Sequence, residues 1–126
     1  MKQKAFNIET LVPPEGRNKG GVMGKAKQEN LNVQMMADQL RGELPRLRRE
    51  YAVRTLGLFG SYVRGEQRRG SDLDVLVEFF EIPGMFRFLE LERDLSRLVG
   101  VSVDLVQKDA LKPAIGKRIE SEILPI

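Results

Sequence analysis

The order of apolar patterns along the 126 residues predicts a small α/β (α+β) domain, in which one mixed β-sheet is covered by helices. Three observations support this fold class. Apolar residues recur at helical spacing in some segments, short β-branched runs separate those segments, and glycine or proline marks several of the boundaries. The length allows one domain with a hydrophobic core and not two.

The first half of the domain predicts a helix, a strand and a short helix. Leucine and methionine recur every three or four residues over 31–47, which is typical of an amphipathic helix, and Pro45 would break or kink it. Residues 54–60 alternate leucine with smaller residues and then stop at a glycine, as a strand does. Residues 61–67 leave room for one or two helical turns.

The second half predicts two more strands, each followed by a helix. Residues 71–80 and 101–107 are rich in β-branched residues and therefore predict strands. Residues 85–100 form an amphipathic pattern that ends in a glycine, a common stop for a helix. Residues 112–124 predict the last helix, with a proline suited to its first turn.

The first 30 residues differ from the rest of the chain. They are rich in glycine, proline and polar residues and show neither helical nor strand periodicity. The sequence therefore predicts a flexible basic leader over 1–30 and a folded domain over 31–126. A mobile tail without a role is the simplest interpretation of the leader. Met23 and Met35 leave open that translation begins later than Met1.

The composition excludes several kinds of chemistry. The chain has no cysteine and no histidine, so thiolate sites, disulfides and histidine general bases are absent. Catalysis would have to use carboxylates, lysine, tyrosine, serine or a metal ion held by oxygen atoms. No apolar stretch approaches the roughly 20 residues of a membrane helix, and no secretory signal is visible. We therefore expect a cytoplasmic protein with no membrane partner.

The net charge of +3 belongs to the leader. Residues 1–31 carry six basic and three acidic residues, whereas the remaining chain carries 15 of each. The predicted domain therefore lacks the basic excess that long nucleic acids require, and nucleic acid binding is not expected.

Three aspartates are candidates for a metal site. Side chains alternate between the faces of a strand, so Asp72 and Asp74 point to the side opposite their apolar neighbours, and Asp104 does the same in the third strand. If the two strands are adjacent, three carboxylates can converge. Crowded carboxylates need neutralisation, and an all-oxygen set favours Mg²⁺ or Mn²⁺. A solvated strand edge, or pairing with basic residues, is the open alternative.

A glycine and a serine precede these aspartates. Gly60 ends the first predicted strand and Ser61 opens the short helix. Backbone N–H groups at such a turn bind phosphate oxygens, and glycine permits their close approach. A phosphate cradle beside a divalent-metal site suits a nucleoside triphosphate.

The stretch "LGLFGSYVRGEQRRGSDLDVLVEF" resembles the polymerase-beta-like nucleotidyltransferase superfamily. Gly60–Ser61, ten intervening residues and Asp72-Leu73-Asp74 match its GSX10DXD signature. The stretch is most similar to the smallest branch, the minimal nucleotidyltransferases (MNT). The resemblance runs from about residue 31 to the end and implies the polymerase-beta-like fold.

The resemblance also implies roles for individual residues. Asp72 and Asp74 would bind two Mg²⁺ ions (or Mn²⁺), and Asp104 would be the third carboxylate, a metal ligand and the candidate base for the acceptor hydroxyl. Gly60 and Ser61 would bind the β- and γ-phosphates of ATP. The reaction would transfer a nucleoside monophosphate to a hydroxyl and release pyrophosphate.

One basic residue has two open interpretations. Arg64, within an Arg-Gly pair that the family usually has after its Gly-Ser, would either approach the nucleotide phosphates or anchor the short helix.

The MNT branch is similar to antitoxins encoded beside HEPN-domain toxins, which implies that the chain adenylylates (AMPylates) a tyrosine of a HEPN toxin from a neighbouring gene. Two alternatives remain. The chain could mask its partner without catalysis, using the apolar stretch 79–88 if it is exposed, although core packing of that stretch is favoured. It could also modify a small molecule or, less readily for a near-neutral domain, an RNA end.

Overall fold

A computed structural model of the chain describes the backbone of residues 21–126 and the side chains of residues 32–126. The helices are α1 (Gly21–Tyr51), α2 (Ser61–Arg64), α3 (Met85–Val99) and α4 (Pro113–Glu120), with a 3₁₀ turn at Lys108–Ala110. The strands are β1 (Val53–Phe59), β2 (Leu73–Phe79), β3 (Val103–Gln107) and β4 (Leu124–Pro125). The predicted fold class is confirmed, and so is the order of its main helices and strands.

The strands form one mixed sheet in the order β3-β2-β1-β4. Strand β1 runs antiparallel to both β2 and β4, whereas β2 and β3 are parallel. The parallel pair needs a crossover connection, and the amphipathic helix α3 supplies it. The sequence pattern missed β4, because a two-residue strand is too short to show alternation.

Helix α1 is longer than the sequence pattern predicts. It begins at Gly21 and continues through Pro45 to Tyr51, so the proline does not end it. Residues 21–30 therefore continue the helical backbone upstream of position 31. The expected leader otherwise lies outside the described residues, and the proposed division between leader and domain stays a prediction.

Helices α1 and α3 pack against the sheet to form the core. The buried residues of α1 recur at three- and four-residue spacing, as helical amphipathicity requires, and Leu91 and Leu95 of α3 are fully buried against them. Burial of each such leucine stabilises the fold by about 2 kcal/mol. The buried side chains of the core are Val33, Met36, Ala37, Leu40, Leu47, Tyr51, Val53, Leu56, Leu58, Leu73, Val75, Val77, Leu91, Leu95, Val103 and Leu105.

A polar network joins α1 to α3 at the edge of this core. Both terminal nitrogens of Arg46 donate to the Asp94 carboxylate, at 3.0 and 3.1 Å, and the Tyr51 hydroxyl donates to it at 2.8 Å. The hydrogen bond from Arg46 is the main cause that lowers the pKa of Asp94, against the opposing effect of burial. Arg46 is therefore part of the helix–helix contact rather than of a solvated basic surface.

None of the helices in residues 21–126 combines the length and the apolar character that a membrane crossing requires.

We expect Asp94→Asn to lower the free energy of unfolding by about 1.5–3 kcal/mol, because it removes the charged acceptor of the Arg46 and Tyr51 hydrogen bonds. Denaturant titration at neutral pH measures the loss. Asp38→Asn is the matched control, since Asp38 pairs with Arg41 on the exposed surface of α1 and should contribute no more than about 0.5 kcal/mol.

The Asp94 contribution should depend on pH. The folded pKa of Asp94 lies below its ordinary value of 3.8, so the stabilisation is complete above that value and disappears as the pH falls through the folded pKa. Equal losses for the two variants at neutral pH would contradict the proposed importance of the network.

Candidate functional site

The parallel pairing of β2 and β3 brings two of the predicted aspartates together. Asp74 and Asp104 are direct partners in the register, so their side chains leave the sheet side by side on the same face. Asp72 lies just before β2, two residues from Asp74, and alternation places it on that face as well. The intervening Leu73 is fully buried on the other face. The carboxylates therefore lie on the sheet face opposite the helical core.

The other two carboxylates act electrostatically on Asp74. Burial raises the pKa of Asp74, and the neighbouring charges of Asp104 and Asp72 raise it further, while Arg64 opposes the shift. Asp72 and Asp104 are exposed, whereas Asp74 is half-buried. The folded structure therefore places Asp74 where a negative charge is costly and where a bound cation would relieve the cost.

The carboxylates do not form a preassembled cage. Among the side chains of residues 32–126, no group of three or more acidic residues converges closely enough to enclose a metal ion. The donors nevertheless fit a hard divalent ion by their chemistry, because they are all oxygens on one face of the sheet.

Gly60 links the first strand to these carboxylates. Its backbone angles, φ 85° and ψ −156°, lie in a region that is essentially restricted to glycine. A Cβ atom at this position would lie 2.0 Å from Oδ2 of Asp74. The strand pairing explains this proximity, since Phe59, the residue before Gly60, is the register partner of Asp74. Glycine is thus required both by the backbone and by the adjacent carboxylate.

Ser61 opens α2, which is a single turn. The carbonyl of Gly60 accepts the N–H groups of Val63 and Arg64, both at 3.1 Å, and these bonds begin the turn. The left-handed Gly65 ends it. The short helix predicted after the Gly-Ser pair is confirmed, and Ser61 lies beside Gly60 at its start.

Glu122 is the residue that sequence reasoning missed. It follows α4, and its Oε2 atom accepts the Gly60 backbone N–H at 2.8 Å. The same carboxylate accepts Nη1 of Arg64 at 3.2 Å (Oε1) and 3.1 Å (Oε2). The Gly60 hydrogen bond is the main cause that lowers the pKa of Glu122. No local pattern indicates this contact, because it joins residues that are 62 positions apart.

Arg64 contacts carboxylates in this structure. Its Nε atom donates to Glu66 at 3.0 Å, and its Nη1 atom donates to Glu122. These contacts support the anchoring interpretation of Arg64. A role toward nucleotide phosphates stays a prediction.

The apolar stretch 79–88 divides between core and surface. Phe79 and Phe88 pack against the core, with ring centroids 6.2 Å apart, as the core interpretation predicts. That interpretation is wrong for the other aromatic and methionine side chains of the stretch, which are 71–85% exposed. Five large apolar side chains are exposed within residues 80–89 and are called the exposed apolar patch below: Phe80, Ile82, Met85, Phe86 and Leu89.

Comparison with known sequences identifies a family that covers most of the chain. Residues 38–125 match the family described as "Nucleotidyltransferase domain". The chain is 50% identical over 78 residues to the protein adenylyltransferase MntA of Thermococcus cleftensis, a match that covers 62% of this chain and 79% of that protein. It is 45% identical over 93 residues to MJ0128 of Methanocaldococcus jannaschii, whose name marks it as a candidate protein adenylyltransferase, covering 73% and 95%.

Solved structures show the same fold. A candidate minimal nucleotidyltransferase superposes with a TM-score of 0.63 at 32% identity, covering 75% of this chain and 95% of the other. A toxin–antitoxin structure with AMP-PNP superposes with a TM-score of 0.55 at 22% identity, covering 76% and 70%. At that identity the second likeness concerns the fold alone. Together with the sheet order, these likenesses confirm the polymerase-beta-like architecture.

We expect Gly60→Ala to destabilise the protein by about 3 kcal/mol or more, because it adds a steric clash with Asp74 to backbone strain of about 1–3 kcal/mol. Gly65→Ala is the control, since Gly65 also has positive φ but has open space around its Cβ position. It should cost only about 1–2 kcal/mol. Chemical denaturation distinguishes the two, and equal losses would argue against close contact between Gly60 and Asp74.

Asp74→Asn should stabilise the fold in a buffer that contains a metal chelator. The folded pKa of Asp74 lies above the ordinary value of 3.8, so the ionised group opposes folding, and this penalty is complete once the pH exceeds the folded pKa. At neutral pH, a thermal melt should therefore show Tm higher by a few degrees, since 1 kcal/mol corresponds to roughly 4–8 °C in a small domain.

The gain should vanish below pH 3.8, where the parent carboxyl is protonated in both states. Asp72→Asn, at an exposed position, is the control and should change Tm less. A lower Tm for Asp74→Asn at neutral pH would contradict the electrostatic interpretation.

Proposed function

Because the chain belongs to the nucleotidyltransferase family, and to its minimal branch, we propose that it moves AMP from ATP to a hydroxyl group of a partner protein. The observation that carries this proposal is the pairing of Asp74 with Asp104 beside the Gly60 turn. It puts the carboxylates and the candidate phosphate-binding turn at the same end of three adjacent strands, β1, β2 and β3.

Two Mg²⁺ ions, or Mn²⁺ in their place, would be held by Asp72, Asp74 and Asp104. Support comes from the donor set, since the chain has no histidine or cysteine, and from the raised pKa of Asp74. When bound, the ions would neutralise charge on the phosphates and on the carboxylates. Gly60 and Ser61 would bind the β- and γ-phosphates.

The transfer itself would be an in-line displacement. The acceptor oxygen attacks the α-phosphorus of ATP, the bond from that phosphorus to the α,β-bridging oxygen breaks, and pyrophosphate leaves. The exposed carboxylate of Asp104 would accept the proton of the acceptor hydroxyl. The product is AMP joined to the acceptor through a phosphodiester.

The nature of the acceptor is proposed from the relatives. MntA of Thermococcus cleftensis, at 50% identity, is named a protein adenylyltransferase, and a toxin–antitoxin structure with the same fold contains a protein that is also called MntA. The family resemblance implies a HEPN-domain toxin and a tyrosine hydroxyl. We therefore propose that the chain is the antitoxin of such a pair and silences its toxin by AMPylation.

A second function is favoured by one observation, the exposed apolar patch. An apolar surface of this kind on a small domain is typical of a protein contact. It would serve the enzyme by docking its protein acceptor. It would also suffice for a binding module that masks the partner without catalysis.

A transfer assay distinguishes the two functions. The chain is purified with the product of its neighbouring gene, incubated with MgCl₂ and ATP, and both proteins are weighed by intact-protein mass spectrometry. We expect the partner to gain the mass of one or more AMP units. Asp74→Asn should slow this gain by at least about 100-fold, a loss typical when a group that acts on the reacting atoms is removed.

Asp109→Asn is the matched control, because Asp109 is an exposed aspartate close behind β3 and outside the site. It should leave the rate unchanged. A partner that stays bound, gains no mass and is still inhibited would support masking instead. A mass gain that persists undiminished in Asp74→Asn would refute the assigned role of the carboxylates.

A further inference from the structure

We propose that Glu122 is a positioning residue, which holds the Gly60–Arg64 turn in the conformation that binds the triphosphate. This inference deepens the proposed function and rests on it. It starts from Glu122, a residue outside the Gly-Ser and aspartate motifs that contacts both ends of α2 from the segment after α4.

One oxygen atom of Glu122 contacts both ends of α2, while Oε1 adds only a second contact with Nη1 of Arg64, at 3.2 Å. Oε2 of Glu122 accepts the Gly60 N–H at 2.8 Å and Nη1 of Arg64 at 3.1 Å. Gly60 precedes the first residue of α2 and Arg64 is its last residue. A single acceptor therefore fixes the turn at both ends, and hydrogen bonds to a charged acceptor are stronger than neutral ones.

The turn needs such support because its backbone is unusual. The φ and ψ values of Gly60 are accessible essentially to glycine alone. Glycine also has the widest range of other backbone conformations, so it can move away from these values most easily. The same residue borders the Asp74 carboxylate and leads directly into Ser61. Movement of Gly60 would therefore displace Ser61 and also change the surroundings of the Asp74 carboxylate.

Glu122 is itself held by the sheet. The next residue, Ile123, packs over Gly57, where a Cβ atom would lie 2.7 Å from its Cγ1 atom. Leu124 then pairs with Leu58, and the Ile126 N–H donates to the Leu56 carbonyl at 2.9 Å. The carboxylate thus projects from a segment anchored on β1, and this anchoring gives it a defined position.

The same contact has an opposite interpretation, in which the Glu122 carboxylate competes with the nucleotide phosphates for the Gly60 N–H. The pairing with Arg64 favours positioning. The Arg64 side chain is the more exposed of the two and offsets part of the charge of Glu122, although it also pairs with Glu66. The two interpretations predict opposite effects on nucleotide affinity when the side chain is removed.

The experiment is a calorimetric titration of the full chain with AMP-PNP and MgCl₂. For Glu122→Ala, we expect Kd to rise by at least about 10-fold, the scale of losing a hydrogen-bonded charged acceptor. Glu122→Gln is the conservative control. Its single amide oxygen can still accept both donors, so its Kd should stay within about threefold of the parent.

A readout separate from affinity is the amide resonance of Gly60. In the nucleotide-free protein it should shift strongly in Glu122→Ala and little in Glu122→Gln. Should Glu122→Ala fail to fold, Glu122→Asp takes its place, because it keeps the charge but is one methylene shorter. It should bind AMP-PNP more weakly than Glu122→Gln.

Unchanged or tighter binding of AMP-PNP by a folded Glu122→Ala or Glu122→Asp would overturn the inference and favour competition. Failure of the proposed function is separately visible. A parent protein that binds no AMP-PNP in the presence of MgCl₂ would overturn both the proposed function and the positioning role of Glu122. A parent that binds AMP-PNP and transfers AMP, beside an unaffected Glu122→Ala, would overturn the positioning role alone.

Discussion

The site depends on one register, in which Asp74 lies opposite Asp104 across the parallel pair β2–β3. A slip of one residue in either strand would turn one of these carboxylates toward the helical core, since alternate residues face opposite sides. The fully buried Leu73, Val75 and Val77 prevent the slip, because the slipped strand would expose them. The packing of α1 and α3 on the core face therefore fixes the positions of Asp74 and Asp104, although neither helix contacts those side chains.

The two faces of the sheet divide the demands on the sequence. On the core face, apolar side chains are buried and the free energy of folding is gained. On the other face, burial of the Asp74 carboxylate and its repulsion from Asp104 and Asp72 oppose folding. A small domain can tolerate this arrangement only when the stabilisation from one face exceeds the cost on the other.

Much of the fold and part of the site could be predicted from local patterns. The main helices and strands follow from periodicity, and the Gly60 turn and the Asp72–Asp74 pair follow from a contiguous motif. The juxtaposition of Asp104 with Asp74 required only that β2 and β3 be neighbours, a common outcome when an amphipathic helix connects two strands.

The parts that could not be predicted depend on tertiary contacts. Glu122 reaches Gly60 from a segment that sequence periodicity assigned to the last helix, and the strand that holds it has two residues. Pro45 lies within a helix whose tertiary packing outweighs the local cost of proline. The exposure of Phe80, Met85 and Phe86 also depends on where the chain turns after β2, which composition does not determine.

The brevity of β4 has a consequence for local opening of the molecule. The strand is paired on one side only, with β1, and a short edge is where fraying costs the least free energy. Its detachment would carry Glu122 away from Gly60 and leave the central strands and both core helices in place. The proposed nucleotide cradle would then lose its support in a sub-global fluctuation, so activity and global stability need not fall together.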